Sequence, residues 1–278
     1  MSNFKINGKN IDLSTAIVMG ILNVTDDSFY DGGRYLSSDT ILAKVEQMLS
    51  EGATIIDIGA QSSRPGAKAI DTQLEKERLV SAISSVKQQF PSVIISADTY
   101  RAEIAKACVE VGADIINDIS AGNLDDKMLD VVANLNVPYI MMHMQGTPEH
   151  MQKNPTYSDV NTDVFSFFEQ KINILKQKGF EKIIIDPGFG FGKTLQHNYK
   201  LLNGLHELKK IGFPILVGLS RKSMIYKLLD SNPAEALNGT TVVNIIALLG
   251  GASILRVHDV KEAMECIKIV NFAKSCKK

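Results

Sequence analysis

The stretch Ile183 to Thr194, Ile-Ile-Ile-Asp-Pro-Gly-Phe-Gly-Phe-Gly-Lys-Thr, ends an apolar run in a carboxylate and follows it with three alternating glycines. Three β-branched residues in a row suit a strand buried on both faces, as in a parallel sheet. Pro187 then stops ladder donation, and the glycines let the backbone pass close to a ligand beside Phe189 and Phe191. Asp98 and Asn117 also close apolar runs. With Asp186 they offer the acceptors, or amide donor–acceptors, that a flat heterocycle with several N–H groups needs, since a carboxylate grips an N–C–N edge as it grips a guanidinium. Arg64, Arg256 and His258 are donors of the kind that suit a phosphate or diphosphate. Asn23 adds a neutral oxygen able to help hold Mg²⁺, which keeps several waters and bridges phosphates. Lys222 can donate to a ring carbonyl or act as a Schiff-base nucleophile.

Nucleotide loops are excluded by spacing. A Walker A motif ending in Gly192-Lys193-Thr194 needs glycine where Pro187 stands, and glycines at 188, 190 and 192 do not make a dinucleotide fingerprint. Blander roles compete at several positions. Asp98 before Thr99 reads equally as a helix N-cap. Asp57, inside its strand, reads as structural. Met141, Met142 and Met144 fill gaps, and His143 alone reads as a satisfied buried histidine. His150, His197 and His206 fall on apparent loop or helix surface without a partner, and Lys193 and Arg221 read as solvated.

The elements that must position these groups alternate regularly. Apolar runs at Ala16–Leu22, Thr54–Ile58, Val93–Ala97, Pro138–Met142, Lys182–Asp186 and Pro214–Gly218 read as strands, with two more near Ile115 and Ile254. Gly52-Ala53-Thr54-Ile55-Ile56-Asp57, Gly112-Ala113-Asp114-Ile115-Ile116-Asn117 and Gly251-Ala252-Ser253-Ile254-Leu255-Arg256 repeat one template: a helix-stopping glycine, a strand, then a polar exit. Helical patterns intervene; Ile41, Val45, Met48 and Leu49 share a face, and Thr72 with Glu75 predicts a capping box. About eight such units predict a closed (β/α)8 TIM barrel, one domain over residues 1–278 with its core at about 16–275. The active site of such a barrel lies at the C-terminal ends of the strands, where Asn23, Asp57, Asp98, Asn117, His143, Asp186, Ser220-Arg221-Lys222 and Arg256 with His258 fall.

Composition fits. The 278 residues are 45% hydrophobic and 22% charged with net charge −1, which gives no electrostatic case for nucleic acid or an anionic membrane. Three cysteines without metal or redox spacing, and no signal-like or membrane-length apolar run, predict a cytoplasmic protein. Thr241 to Leu249 reads as buried helix or subunit interface.

In their order along the chain these motifs resemble those of the dihydropteroate synthase family. They are Gly20–Gly33, Asp57–Ala67 (with Ser63-Arg64-Pro65), Met142–Pro148, Asp186–Lys193, Gly218–Ser223 and Arg256-Val257-His258. The likeness implies an enzyme of folate biosynthesis joining (7,8-dihydropterin-6-yl)methyl diphosphate to 4-aminobenzoate. It implies pterin binding by Asp98, Asn117, Asp186 and Lys222, and diphosphate binding by Asn23, Ser63, Arg64, Arg256 and His258. Mg²⁺ would rest on Asn23, and Ser63, Arg64, Pro65, Phe191 and Ser220 would border the aminobenzoate. Asp98, Lys222, Asn23 and Arg64 would be the catalytic groups, loops at 23–35 and 59–69 would close over the site, and relatives imply a homodimer and a sulfonamide target. Ser63, Gln61 and Asp26 depart from the commoner threonine, glutamate and proline. The nearest rival is a pterin-binding barrel moving a methyl group from a folate to a corrinoid, which has no need of Arg64-Pro65 or Arg256-Val257-His258. A non-catalytic pterin-binding paralogue and a Schiff-base lyase on Lys222 are the others.

Overall fold

The computed structural model describes residues 3–6, 9–24, 38–61 and 70–276. It opens with an antiparallel hairpin, β1 (Asn3–Ile6) and β2 (Lys9–Asp12). Strands and helices then alternate: β3 (Ile17–Asn23), α1 (Ser38–Ser50), β4 (Ile55–Gly59), α2 (Thr72–Gln89), β5 (Ile94–Asp98), α3 (Ala102–Glu110), β6 (Ile115–Asp118) and α4 (Met128–Leu135). The second half runs β7 (Tyr139–Met142), α5 (Val160–Gln177), β8 (Ile183–Asp186), α6 (Leu195–Asn203), α7 (Leu205–Leu208), β9 (Leu216–Val217), α8 (Ser223–Tyr226), α9 (Leu237–Gly250), β10 (Ile254–Val257) and α10 (Val260–Ser275). Eight strands pair in parallel in the order β8-β7-β6-β5-β4-β3-β10-β9, and a parallel bridge between Ile185 and Ile215 joins the two ends. The ring is the expected (β/α)8 barrel.

Strand periodicity explains how one sequence supplies both core and site. Side chains alternate in direction along a strand. Those facing the helices, such as Val18, Ile56, Ile95, Ile116, Ile183, Val217 and Leu255, join the larger apolar cluster. Those facing inward begin with an apolar floor: Met19, Ile55, Ile94, Ile115, Ile140, Ile184, Leu216 and Ile254 pack together with Ile6 and Ile11 of the hairpin. The hairpin thus stops the lower end of the barrel. Two residues further along each strand the inward positions become Ile21, Asp57, Ser96, Asn117, Met142, Asp186, Gly218 and Arg256. Asn23, Gly59 and Asp98 lie in register one step higher still.

The helix ends largely follow the sequence. Gly52, Gly112 and Gly251 stop their helices at positive φ of 106°, 111° and 104°. The capping box predicted at Thr72 and Glu75 is absent. Asp71 is the cap, accepting from the main-chain N–H groups of Gln73 (2.9 Å) and Leu74 (3.1 Å), while Glu75 turns inward. A capping box does occur at Thr194 and His197, which gives His197 a partner that the sequence did not reveal. Among the described residues no helix is long and apolar enough to cross a membrane.

Candidate active site

The polar groups of the upper barrel are wired to one another. Arg256 donates through Nε to Asp57 (2.6 Å) and through Nη2 to Asp98 (2.7 Å), and Asn117 Nδ2 lies 3.2 Å from the same Asp57 oxygen. Burial works against the Arg256 charge, but Asp57 and Asp98 outweigh it and hold the guanidinium protonated above its ordinary value. Burial raises Asp98 to about 7; Arg256 opposes that, and the carboxylates of Asp57, Glu75 and Asp118 add to it. Asp98 is therefore no helix cap: α3 begins at Ala102, whose N–H donates to Asp125 (2.8 Å). Asn23 comes to the same place, since a Cβ built on Gly59 would stand 3.5 Å from Asp98 Oδ2 and 3.6 Å from Asn23 Oδ1.

Asp186 and Lys222 form the second half of the constellation. Asp186 accepts from the N–H of Gly188 (2.8 Å), and burial raises its pKa against the pull of Lys222, Arg256 and Lys193. The Lys222 ammonium donates to the Phe189 carbonyl and stands 4.6 Å from the centroid of the Phe191 ring. Burial lowers it to about 8, with Asp186 opposing. Gly218 separates Lys222 from Arg256: a Cβ there would lie 3.9 Å from Lys222 Nζ and 4.0 Å from Arg256 Cβ. Ser220 Oγ lies 3.0 Å from His258 Nδ1 and accepts from the His258 main-chain N–H (3.2 Å), which ties the exits of β9 and β10 together.

The loop after β8 is pinned along its whole length. The carbonyls of residues 188 to 192 accept in turn from Lys193, Lys222, Gln152, Lys193 and Tyr157, and the Gly190 N–H donates to Asn198. Partners for these carbonyls remove most of the cost of keeping an irregular segment inside a protein. Gly188 and Gly192, at φ 70° and 60°, sit where a Cβ would stand 1.9 Å from the His143 carbonyl oxygen and 2.3 Å from that of Gln145. Glycine is required at both.

Asn23, Asp98, Asn117, Asp186, Phe191, Ser220, Lys222, Arg256 and His258 thus converge on one mouth, while Ser63, Arg64 and Pro65 lie outside the described residues, as do Asp26 and most of both loops. Some sequence expectations change. Lys193 is not solvated but 3% exposed. Arg221, at φ 55°, clamps the exits of β9 and β10 together, bonding Asp259 through Nε and Nη2 (2.8 and 2.9 Å) and the carbonyls of Pro233 and Ala234. Asp57 is in direct contact with Arg256; its phase with Ile55 and Gly59 on β4 was the available signal. Glu75, fully buried, accepts from Thr99 (2.6 Å) and Arg101 (2.5 Å) and anchors the exit of β5 from outside the barrel. Asp118 does the same beside Asn117, accepting from Tyr139 (2.6 Å), Ser120 and Gly122.

The sequence profile of the pterin-binding enzyme family matches residues 19–258. Dihydropteroate synthase of Escherichia coli (strain K12) is 44% identical over 272 residues, 97% of this chain and 96% of that one. The chain belongs to the dihydropteroate synthases. Among solved structures, the Yersinia pestis dihydropteroate synthase in a sulfonamide drug complex superposes with a TM-score of 0.93 at 43% identity, covering 98% of this chain and 99% of that one. The Xanthomonas albilineans dihydropteroate synthase with 4-aminobenzoic acid gives 0.91 at 36% identity, covering 98% of both chains. A dihydropteroate synthase is a transferase, so the barrel mouth of this one is the place to look for two substrates and a leaving group.

Proposed function

We propose that residues 1–278 act as one cytoplasmic catalytic unit that condenses (7,8-dihydropterin-6-yl)methyl diphosphate with 4-aminobenzoate, releasing diphosphate and 7,8-dihydropteroate. The observation that carries this reading is the meeting of Asp186 and Lys222 with the Asp57–Arg256–Asp98 chain at one mouth. Acceptors for a bicyclic amine-rich ring and cations for its leaving anion are both there. Asp186 and Asn117 hold the pterin edge, and Lys222 donates to its ring carbonyl. Phe191, Ser220, Ser63, Arg64 and Pro65 border the aminobenzoate; Arg64, Arg256, His258, Ser63 and Asn23 take the diphosphate.

Mg²⁺ fits this donor set. Asn23 Oδ1 lies at the gap above Gly59 and is a hard oxygen of the kind that cation prefers, while Asp98 Oδ2 beside it is held by Arg256. Asn23 would hold it, and when bound it supplies charge neutralisation to the departing diphosphate. Arg256 and His258 add donors aimed at the same developing charge. The pterin, electron-rich, sheds diphosphate through a cation-like methylene, which an ionised Asp98 stabilises. The aminobenzoate nitrogen is a weak base and needs placement rather than a general base. Val242, Ile246, Leu249, Ile269 and Phe272 expose apolar side chains on α9 and α10, from 38% to 73% accessible, and we assign that face to a homodimer. A sulfonamide, shaped like the aminobenzoate, would compete for its place.

The test is direct. The purified chain is mixed with the pterin diphosphate, aminobenzoate and Mg²⁺, and dihydropteroate and diphosphate are followed together. Stoichiometric appearance of both is expected, and failure to form dihydropteroate overturns the assignment. Diphosphate release strictly dependent on aminobenzoate, with no trapped pterin species, would overturn the dissociative step alone.

A further inference from the structure

The role of Lys193, which closes the glycine run, is unexplained by the reaction as described. The residue is 3% exposed, and a buried ammonium survives only if its donors are matched. They are matched: Gly188 O at 2.9 Å, Phe191 O at 3.0 Å and His143 Nδ1 at 3.0 Å account for three N–H groups, with His143 O further off at 3.4 Å. An accepting Nδ1 fixes His143 as the neutral tautomer protonated on Nε2, and burial with the adjacent lysine keeps that ring well below its ordinary pKa. The ring is held in turn by an edge contact with Phe167, centroids 4.9 Å apart.

These acceptors come from two segments that the chain must press together. His143 follows β7, and Gly188 and Phe191 follow β8. The glycines remove the side chains that would keep the segments apart, and Lys193 is the cation inserted into the seam they create. What the seam carries is the environment of Lys222: the Phe189 carbonyl that accepts its hydrogen bond and the Phe191 ring beside it. We propose that Lys193 is a positioning residue for the condensation, stapling the loop after β8 to His143 so that Phe189 and Phe191 present Lys222 to the pterin. The charged groups around it are Asp186 on β8 and Lys222 after β9, with Arg256 on β10 acting through Asp186. Burial, aided by Lys222 and opposed by Asp186, brings Lys193 to about 7, so the staple is strained electrostatically but saturated in hydrogen bonds.

This inference rests on the pterin-site reading, and the experiment separates the two. Lys193→Met keeps most of the length and removes the ammonium donors; His143→Leu removes one acceptor, and His143→Asn, whose Oδ1 stands where Nδ1 stood, restores one. Calorimetry with 6-hydroxymethyl-7,8-dihydropterin is run beside thermal melts and steady-state kinetics normalised to folded protein. Loss of charged hydrogen bonds predicts that Lys193→Met weakens pterin binding by about tenfold or more and raises the KM for the pterin diphosphate. His143→Leu is expected to move binding the same way, with His143→Asn recovering most of the loss. The double variant Lys193→Met/His143→Leu should be no weaker than the worse single variant, as expected for partners in one contact. Wild-type affinity in folded Lys193→Met, or full additivity in the double variant, would overturn the proposal. If Lys193→Met does not fold, the two histidine variants decide: equal, undiminished affinity in both overturns it. A wild-type chain that fails to bind the pterin would instead overturn the functional reading.

Discussion

Replacing Gly188 by alanine should separate backbone strain from catalytic misplacement. At φ 70° the new residue occupies the left-handed region, at a cost of about 1–2 kcal/mol. Its Cβ would also stand 1.9 Å from the His143 carbonyl oxygen, whereas carbon–oxygen contacts begin near about 3.3 Å, so one segment must retreat by about 1.4 Å. The Gly188 N–H is bonded to the Asp186 carboxylate, so the retreat moves a pterin-holding group with it. Misplacements of about 1 Å cost on the order of 100-fold in rate, and kcat/KM for Gly188→Ala should fall by about that factor. Gly179→Ala supplies the control: φ there is 74°, and nothing lies within 4 Å of the added carbon. That variant should lose the same ~1–2 kcal/mol of stability, read as a lowered thermal midpoint, with its turnover unchanged. Diphosphate release measured on both, corrected for folded fraction, gives the answer. Full kcat/KM in Gly188→Ala, or an equal loss in Gly179→Ala, would refute the reasoning.

Four further outcomes are expected. Asp186→Ala and Lys222→Ala should each abolish calorimetric binding of the pterin, and normal binding in either removes its assigned role. The pH profile of kcat/KM should fall on the acid side as Asp98, raised by burial to about 7, takes up a proton and can no longer stabilise a cation. It should fall on the alkaline side as buried Lys193, held at about 7, and Lys222, held at about 8, lose their charges; a flat profile from about pH 5 to 9 contradicts these roles. Because the folded form binds the Asp98 proton more tightly than the unfolded chain does, that group's contribution to stability is full in acid and is lost as the pH rises through 7. Arg101→Met leaves Glu75 buried without its cation, and urea unfolding should report a loss of about 3 kcal/mol, near the lower end for a broken buried pair because Thr99 still donates. Leu249→Asp with Phe272→Asp should give a monomer by light scattering, and an unchanged dimer would move the interface elsewhere.

The barrel was legible because strand and helix periods differ and because the glycine-stop template recurs before β4, β6 and β10. The polar mouth was legible because each strand ends in a group that the barrel rule sends to one rim. What escaped was decided by contacts distant in sequence. Asp71 and Thr72 are both good caps, and the choice fell to Asp71 because Thr99 and Arg101 draw Glu75 inward, away from the helix start. Lys193 follows a glycine and looks like any exposed lysine; only the close approach of the loop to residues 143–145 buries it. Arg221 holds a positive φ without being glycine, and its reason, Asp259, lies 38 residues away. The hairpin of β1 and β2 carries too few apolar residues to signal a strand pair, and its stability comes from what Ile6 and Ile11 touch.

That hairpin has a consequence for the order in which the molecule can be completed. The ribosome delivers Ile6 and Ile11 long before Ile254, which forms part of their seat. The stopper is therefore made before its seat is complete. Until β10 arrives beside β3, two isoleucines and the unfinished floor they will cover must stay in water together, a natural target for chaperones that recognise bare aliphatic side chains.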